Sequence, residues 1–171
     1  RKRLHRIAGK KLLETFGGEI RFFGIGGSRL GPEVEEFLYD AKFPYSIGYG
    51  LTETAPLITG CSPDLVRLYS AGPVIPGVEI RIDNSETHQE EGEIQVKGPN
   101  IMKGYYLDPE RTAAAFTPDG WFRTGDLGLL KDGYLYIKGR LKNVIIGPSG
   151  ENIYPEEIEA ALNKHPSVLE S

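Results

Sequence analysis

The chain has 171 residues, of which 39% are hydrophobic and 26% are charged, and this composition is typical of a folded protein with one or two compact domains. The net charge of -4 gives no reason to expect a nucleic-acid partner. The lone Cys61 excludes an internal disulfide and favours a cytoplasmic location. No apolar run approaches the roughly 20 residues that span a bilayer, although peripheral contact with a membrane stays open.

The first part of the chain predicts parallel α/β structure. Apolar side chains share one helical face in residues 4–16, and Gly17-Gly18 predicts the end of that helix. A strand at residues 20–23, a helix starting at Pro32 and a strand at residues 45–49 follow. A strand–helix–strand unit is typical of a parallel sheet, and ligands bind beyond the carboxyl ends of such strands. A glycine loop follows each predicted strand at that place.

From Ala71 the pattern predicts antiparallel, half-exposed sheet. Apolar residues alternate in two segments, residues 78–82 and 94–96, which a polar connection at residues 84–91 joins. The remaining predicted elements are a helix at residues 108–116, strands at 134–137 and 143–146, and a helix from Pro155 with Ile158, Ala161 and Leu162 facing inward.

The segment Gly48-Tyr49-Gly50-Leu51-Thr52-Glu53-Thr54 combines groups that suit a nucleotide. A tyrosine between glycines can lie against a flat base, a threonine hydroxyl can donate to a phosphate oxygen, and the adjacent carboxylate can hold Mg²⁺. A tight turn with a capping threonine is the alternative interpretation.

The segment Trp121-Phe122-Arg123-Thr124-Gly125-Asp126 is predicted to form a turn. The two oxygens of the Asp126 carboxylate match the adjacent hydroxyls of a ribose. The alternative is an aspartate that merely fixes a β-turn.

The segment Gly139-Arg140-Leu141-Lys142-Asn143 is predicted to be a junction between two halves of the chain. Arg140 carries a permanent charge and several donors, so it could contact a ribose or a phosphate. A surface linker with a salt bridge is the alternative, and the loop from Gly24 to Ser28 is a weaker candidate still.

The order of these motifs along the chain is more specific evidence for a protein family than any single motif is. Read as GGS, GYGLTET, GEIQVKGPNIMKGYY, WFRTGD, GRLKNVI and GENIYPEEIE, the chain resembles the adenylate-forming superfamily from about Phe22 to Leu162. That superfamily includes acyl-CoA synthetases, the adenylation domains of peptide synthetases, and firefly luciferase. The resemblance implies that Gly26, Gly27 and Ser28 line adenine and the acyl group, and that Gly48, Tyr49 and Gly50 pack against adenine. It also implies that Thr52 contacts the α-phosphate, that Glu53 binds Mg²⁺, and that Asp126 and Arg140 hold the ribose. Lys142 would be the hinge, and Gly150 would lie near the path of CoA.

The resemblance also implies an α/β fold with three regions. Residues 1–70 would be the α/β portion of the large AMP-binding domain, residues 71–139 its antiparallel β subdomain, and residues 140–171 the hinge and the beginning of a small α+β C-terminal domain. The implied chemistry uses ATP, Mg²⁺ and CoA. A carboxylate attacks the α-phosphorus of ATP, pyrophosphate leaves, and the acyl group passes to a thiol, with the hinge exchanging the groups that cover the site.

The family's phosphate loop and its adenylation lysine are absent from these 171 residues, so we expect a segment of a longer enzyme that is inactive alone. The start at Arg1 and the single methionine, Met102, agree with that expectation. Lys142 and the segment GENIYPEEIE favour a CoA ligase, and the loop at residues 147–150 resembles that of bacterial fatty-acyl-CoA synthetases, so the chain is most like a bacterial long-chain fatty-acid–CoA ligase. The alternatives are an adenylation domain that loads an amino or aryl acid onto a carrier protein and a non-catalytic nucleotide-binding protein. The oligomeric state is not predicted.

Overall fold

A computed structural model of the chain describes residues 1–85, 90–148, 152–163, 165 and 167–168. The predicted connection at residues 84–91 and the loop at residues 147–150 therefore lie partly outside the described residues. The helices are α1 (Lys2–Thr15), α2 (Pro32–Ala41), α3 (Pro109–Ala114) and α4 (Pro155–Leu162), and the strands are β1 (Phe23–Ile25), β2 (Tyr45–Ile47), β3 (Glu79–Asp83), β4 (Gly92–Lys97), β5 (Phe122–Lys131), β6 (Tyr134–Arg140), β7 (Ile145–Ile146) and β8 (Asn152–Ile153).

Strand β1 precedes α2 along the chain and β2 follows it, and the two strands pair in parallel. The predicted strand–helix–strand unit is therefore confirmed. The first strand begins at Phe23, later than predicted, because the preceding Phe22 is 60% exposed and outside the pairing. Leu38, Phe43 and Tyr45 form the buried centre of this unit. The α/β fold class follows from this parallel pair together with the antiparallel strands beyond it.

Helix α1 packs on α2 at a point where the backbones come close together. A Cβ atom on Gly9 would lie 2.6 Å from the Cβ atom of Ala41, so a larger residue would separate the helices. The helix ends as predicted, because Gly17 and Gly18 adopt positive φ angles of 89° and 80° and the Gly18 N–H donates to the Leu13 carbonyl.

The four antiparallel strands are ordered β3-β4-β5-β6. The prediction of a half-exposed sheet is wrong for β4, which is buried on both faces. Ile94 and Val96 enter a core with Ile58, Phe122 and Leu135. The opposite face of β4 carries the buried polar side chains Glu93 and Gln95, which hydrogen bonds and an ion pair satisfy: Gln95 Nε2 donates to Asp83 and Glu93, Gln95 Oε1 accepts from Arg81, and Glu93 pairs with Arg123.

The last described elements are the short antiparallel pair β7–β8 and helix α4. The Tyr154 hydroxyl donates to a Glu91 oxygen at 2.5 Å, which links this region to the four-stranded sheet. The three residues of α4 that were predicted to face inward do not, since Ile158 and Leu162 are each 49% exposed and Ala161 is exposed as well. In the part of the chain that the structure describes, no helix has the length and apolar character needed to cross a membrane.

Candidate nucleotide site

The two glycine loops adjoin at the carboxyl ends of β1 and β2, where the sequence predicts them. The Gly48 N–H donates to the Ile25 carbonyl at 2.9 Å, and a Cβ atom on Gly26 would lie 3.5 Å from the Gly48 carbonyl oxygen. Gly27 has a φ of 83°, and both it and Ser28 are exposed. At this edge of the sheet, the exposed backbone of Gly27 and Ser28 therefore lies on one side and the 48–54 segment on the other.

The chain folds back sharply after Gly48. At Gly50 a Cβ atom would lie 1.7 Å from the Pro56 carbonyl oxygen, so the backbone fits there only without a side chain. Residues Thr52–Thr54 form a single turn of 3₁₀-helix. The capping threonine of the alternative interpretation is Thr54, which is buried and whose hydroxyl lies 2.9 Å from the Leu51 N–H and 2.8 Å from the Pro56 carbonyl. Thr52 is exposed and stays available to a ligand.

Asp126 lies inside strand β5, so the predicted turn at residues 121–126 is wrong. Gly125 has a φ of 70°, and the β5–β6 register shifts between Leu127 and Gly128, which bends the strand beside Asp126 without ending it. The pairing register places Asp126 directly opposite Arg140, and Arg140 Nε lies 2.9 Å from Asp126 Oδ1. Arg140 was predicted to contact a ribose or a phosphate, and in the structure its guanidinium contacts the Asp126 carboxylate directly.

The Tyr49 hydroxyl donates to Asp126 Oδ2 at 2.7 Å, which joins the glycine segment to the four-stranded sheet. Burial raises the pKa of Asp126, while the Tyr49 hydrogen bond and the Arg140 charge oppose that rise. Burial and the Asp126 charge raise the pKa of Tyr49, so its phenol stays protonated and remains a donor. Because a carboxylate offers about four acceptor positions, about two remain on Asp126 for a diol.

A metal ion would find one carboxylate in the 48–54 segment, that of half-buried Glu53. The described residues contain no cluster of three or more His, Cys, Asp or Glu side chains that could hold a metal. This donor set fits Mg²⁺ held by a nucleotide, because Mg²⁺ commonly takes one or two protein carboxylates plus phosphate oxygens and water.

The resemblance also predicts roles for Lys142 and Gly150. Lys142 is exposed in the 3₁₀ turn Leu141–Asn143, which begins directly after Arg140. Gly150 lies outside the described residues.

Sequence reasoning missed the side chains that support the 48–54 segment from the side. Asn100 Nδ2 donates to the carbonyl oxygens of Thr54 and Leu57, and the Tyr105 hydroxyl donates to Glu53. Both residues occur in the GPNIMKGYY stretch, whose pattern contributed to the resemblance but assigned no role to either. The GPNIMKGYY pattern was visible in the sequence, but the contacts of Asn100 and Tyr105 with the 48–54 segment depend on the tertiary structure.

A family model described as AMP-binding enzyme matches residues 3–106. That match covers more than half of the chain, and the chain belongs to this family.

Individual relatives give a more detailed comparison. The chain is 50% identical over 158 residues to a 2-succinylbenzoate–CoA ligase of Bacillus velezensis, covering 89% of the chain and 32% of the relative. It is 34% identical over 167 residues to the long-chain-fatty-acid–CoA ligase FadD15 of Mycobacterium bovis, covering 97% and 27%. The solved o-succinylbenzoate CoA synthetase (MenE) of Bacillus subtilis with its acyl-adenylate OSB-AMP is 37% identical, with a TM-score of 0.79 and coverage of 94% and 36%. The chain thus spans about a third of the length of these relatives.

Proposed function

We propose that the chain is a segment of an ATP-dependent acid–CoA ligase that activates a carboxylate as an acyl-adenylate and then transfers the acyl group to CoA. The observation that carries this proposal is the contact of Tyr49 and Arg140 with the two oxygens of Asp126, beside the adjoining glycine loops. A fixed, buried carboxylate with remaining acceptor capacity suits the two hydroxyls of a ribose.

The other site residues follow from that placement. Adenine would lie against the Tyr49 ring and the backbone of Gly48 and Gly50, with Gly26, Gly27 and Ser28 forming the facing wall. The exposed Thr52 hydroxyl would donate to the α-phosphate, and Glu53 would hold Mg²⁺. The metal would neutralise phosphate charge, while these side chains position the nucleotide for attack by the carboxylate.

The path of the chain near Arg140 supports a domain division at this point. Strand β6 ends at this residue, and the exposed turn that contains Lys142 follows. We propose residues 1–70 and 71–139 as two parts of the large domain and residues 140–171 as the start of the small one, with Lys142 as the hinge and Gly150 near the CoA path. We also propose that this chain by itself forms no adenylate.

The acid that the enzyme activates is proposed from its relatives. An aromatic acid such as 2-succinylbenzoate is favoured by the 50% identity to the Bacillus velezensis ligase, and a long-chain fatty acid by the 34% identity to FadD15. We propose the aromatic acid first and the fatty acid as the second candidate. A carrier protein as acyl acceptor has weaker support, because both of these relatives are named as CoA ligases.

The test uses the full-length protein with ATP, Mg²⁺ and a panel that contains 2-succinylbenzoate, fatty acids of increasing length and amino acids. Hydroxylamine traps the acyl-adenylates, and added CoA converts them to thioesters. Adenylate from 2-succinylbenzoate alone supports the aromatic assignment, and adenylate from long fatty acids alone replaces it with the second candidate. No adenylate from any acid refutes the proposed function.

A further inference from the structure

The Glu53 carboxylate has a hydrogen-bond partner in a distant part of the chain. The Tyr105 hydroxyl donates to Glu53 Oε1 at 3.0 Å, across 52 positions of sequence. Both side chains are half-buried, so the contact lies at the rim of the nucleotide site and not in the core.

The backbone around Glu53 is fixed by other contacts. The Met102 N–H donates to the Glu53 carbonyl at 2.8 Å, and Asn100 Nδ2 donates to the Thr54 and Leu57 carbonyls at 2.7 and 2.8 Å. The loop therefore keeps its path without the Tyr105 hydroxyl. What that hydroxyl adds is a restraint on the glutamate side chain.

Tyr105 is itself held firmly enough to act as a restraint. Its N–H donates to Thr112 Oγ1 at 2.8 Å, and the Arg111 guanidinium lies 4.7 Å from the centre of its ring. Gly104 makes this approach to Thr112 possible, because a Cβ atom on it would lie 2.6 Å from Thr112 Cγ2. The contacts with Thr112 and Arg111, which both belong to helix α3, thus fix the phenol beside the Glu53 carboxylate.

We propose that Tyr105 is a positioning residue that holds one oxygen of Glu53, so that the other oxygen is presented to the nucleotide-bound Mg²⁺. This inference rests on the proposed function, which assigns the metal to Glu53. A long, flexible carboxylate loses side-chain freedom when it binds a metal, and a hydrogen bond that orients it beforehand reduces that loss.

The test compares Tyr105→Phe with Tyr106→Phe in the full-length protein. Tyr106 is the matched control, since it is the neighbouring tyrosine and is 91% exposed. The first readout is the binding of Mn²⁺ to protein saturated with α,β-methylene-ATP, measured by electron paramagnetic resonance. The second is the Mg²⁺ dependence of pyrophosphate release, and the third is thioester formation from supplied acyl-adenylate and CoA.

We expect Tyr105→Phe to weaken Mn²⁺ binding about tenfold, near the lower end of the effect of removing a partner that orients a metal ligand. The Mg²⁺ requirement for pyrophosphate release should rise by a similar factor, while thioester formation, which needs no ATP-bound metal, should stay within about twofold. Tyr106→Phe should leave all three unchanged.

Unchanged Mn²⁺ binding in Tyr105→Phe overturns the inference. An equal loss in thioester formation also overturns it, because the hydroxyl would then support the fold generally and not the metal ligand. If the wild-type protein forms no adenylate from any acid, the proposed function fails and this inference fails with it; a failure confined to the Tyr105 variant leaves the proposed function standing.

Discussion

Replacing Asp126 with alanine is expected to weaken AMP binding to the full-length protein about 100-fold. Tyr49 and Arg140 each occupy one acceptor position of the carboxylate, at 2.7 and 2.9 Å. About two positions remain for the ribose hydroxyls. A hydrogen bond to a charged group contributes about 1.5–3 kcal/mol, so two such bonds give about 3 kcal/mol or more, and every 1.4 kcal/mol is about tenfold in the dissociation constant.

The alanine variant also leaves the Tyr49 hydroxyl without its acceptor, at a cost of about 1–3 kcal/mol in the free energy of unfolding. Asp126→Asn separates the two effects. Its amide oxygen can accept from Arg140 and its nitrogen can donate to the Tyr49 oxygen, so the fold is largely kept. We expect this variant to unfold near the wild-type urea midpoint and yet bind AMP about tenfold more weakly, because the charged acceptor is lost.

Isothermal titration calorimetry with AMP measures both variants, and urea unfolding followed by circular dichroism measures their stability. Asp132→Asn is the control, because the Asp132 side chain is 73% exposed and asparagine tolerates its φ of 50°. An AMP dissociation constant for Asp126→Ala within about threefold of wild type, where about 100-fold is expected from the two lost bonds, would refute the ribose assignment.

Three further predictions concern the fold around the site. Ile94→Ala removes a fully buried side chain and should lower the free energy of unfolding by about 3 kcal/mol in urea titration, whereas Leu130→Ala, at a position 38% exposed, should cost about 0.5 kcal/mol; equal losses would contradict the placement of the core. Gly50→Ala places a Cβ 1.7 Å from the Pro56 carbonyl oxygen, so we expect displacement of the 48–54 segment and loss of adenylate formation in the hydroxylamine assay, and wild-type activity would disprove that fit. Burial raises the pKa of Glu35 above 4.5, so its folded form holds the proton more tightly than its unfolded form, and the stability this confers is present below about pH 4.5 and is lost as the pH rises through the raised value. The unfolding free energy of wild type should therefore fall relative to Glu35→Gln over that window in urea titrations, and parallel pH profiles would contradict the expectation.

The sequence predicted the local elements near the site because their signals are local. Pro32 marks the start of α2, Gly17 and Gly18 the end of α1, and the alternation at Ile80 and Ile82 marks β3. The same reasoning failed for Asp126, since Gly125 next to it is as typical of a turn as of a bent strand. It failed for β4 too, because alternation predicts one exposed face and does not reveal that polar partners cover Glu93 and Gln95.

The sequence by itself determined which residue types stand at the ends of the first strands, and it determined the order of motifs on which the family resemblance rests. Only the tertiary structure decided which side chains meet. Tyr49 reaches Asp126 across 77 positions and Tyr105 reaches Glu53 across 52. Such contacts depend on strand register and on the packing of separate elements, and a shift of one residue in β5 would turn Asp126 to the opposite face. No local pattern carries that information, because the register is fixed only when the buried faces of the whole sheet come together.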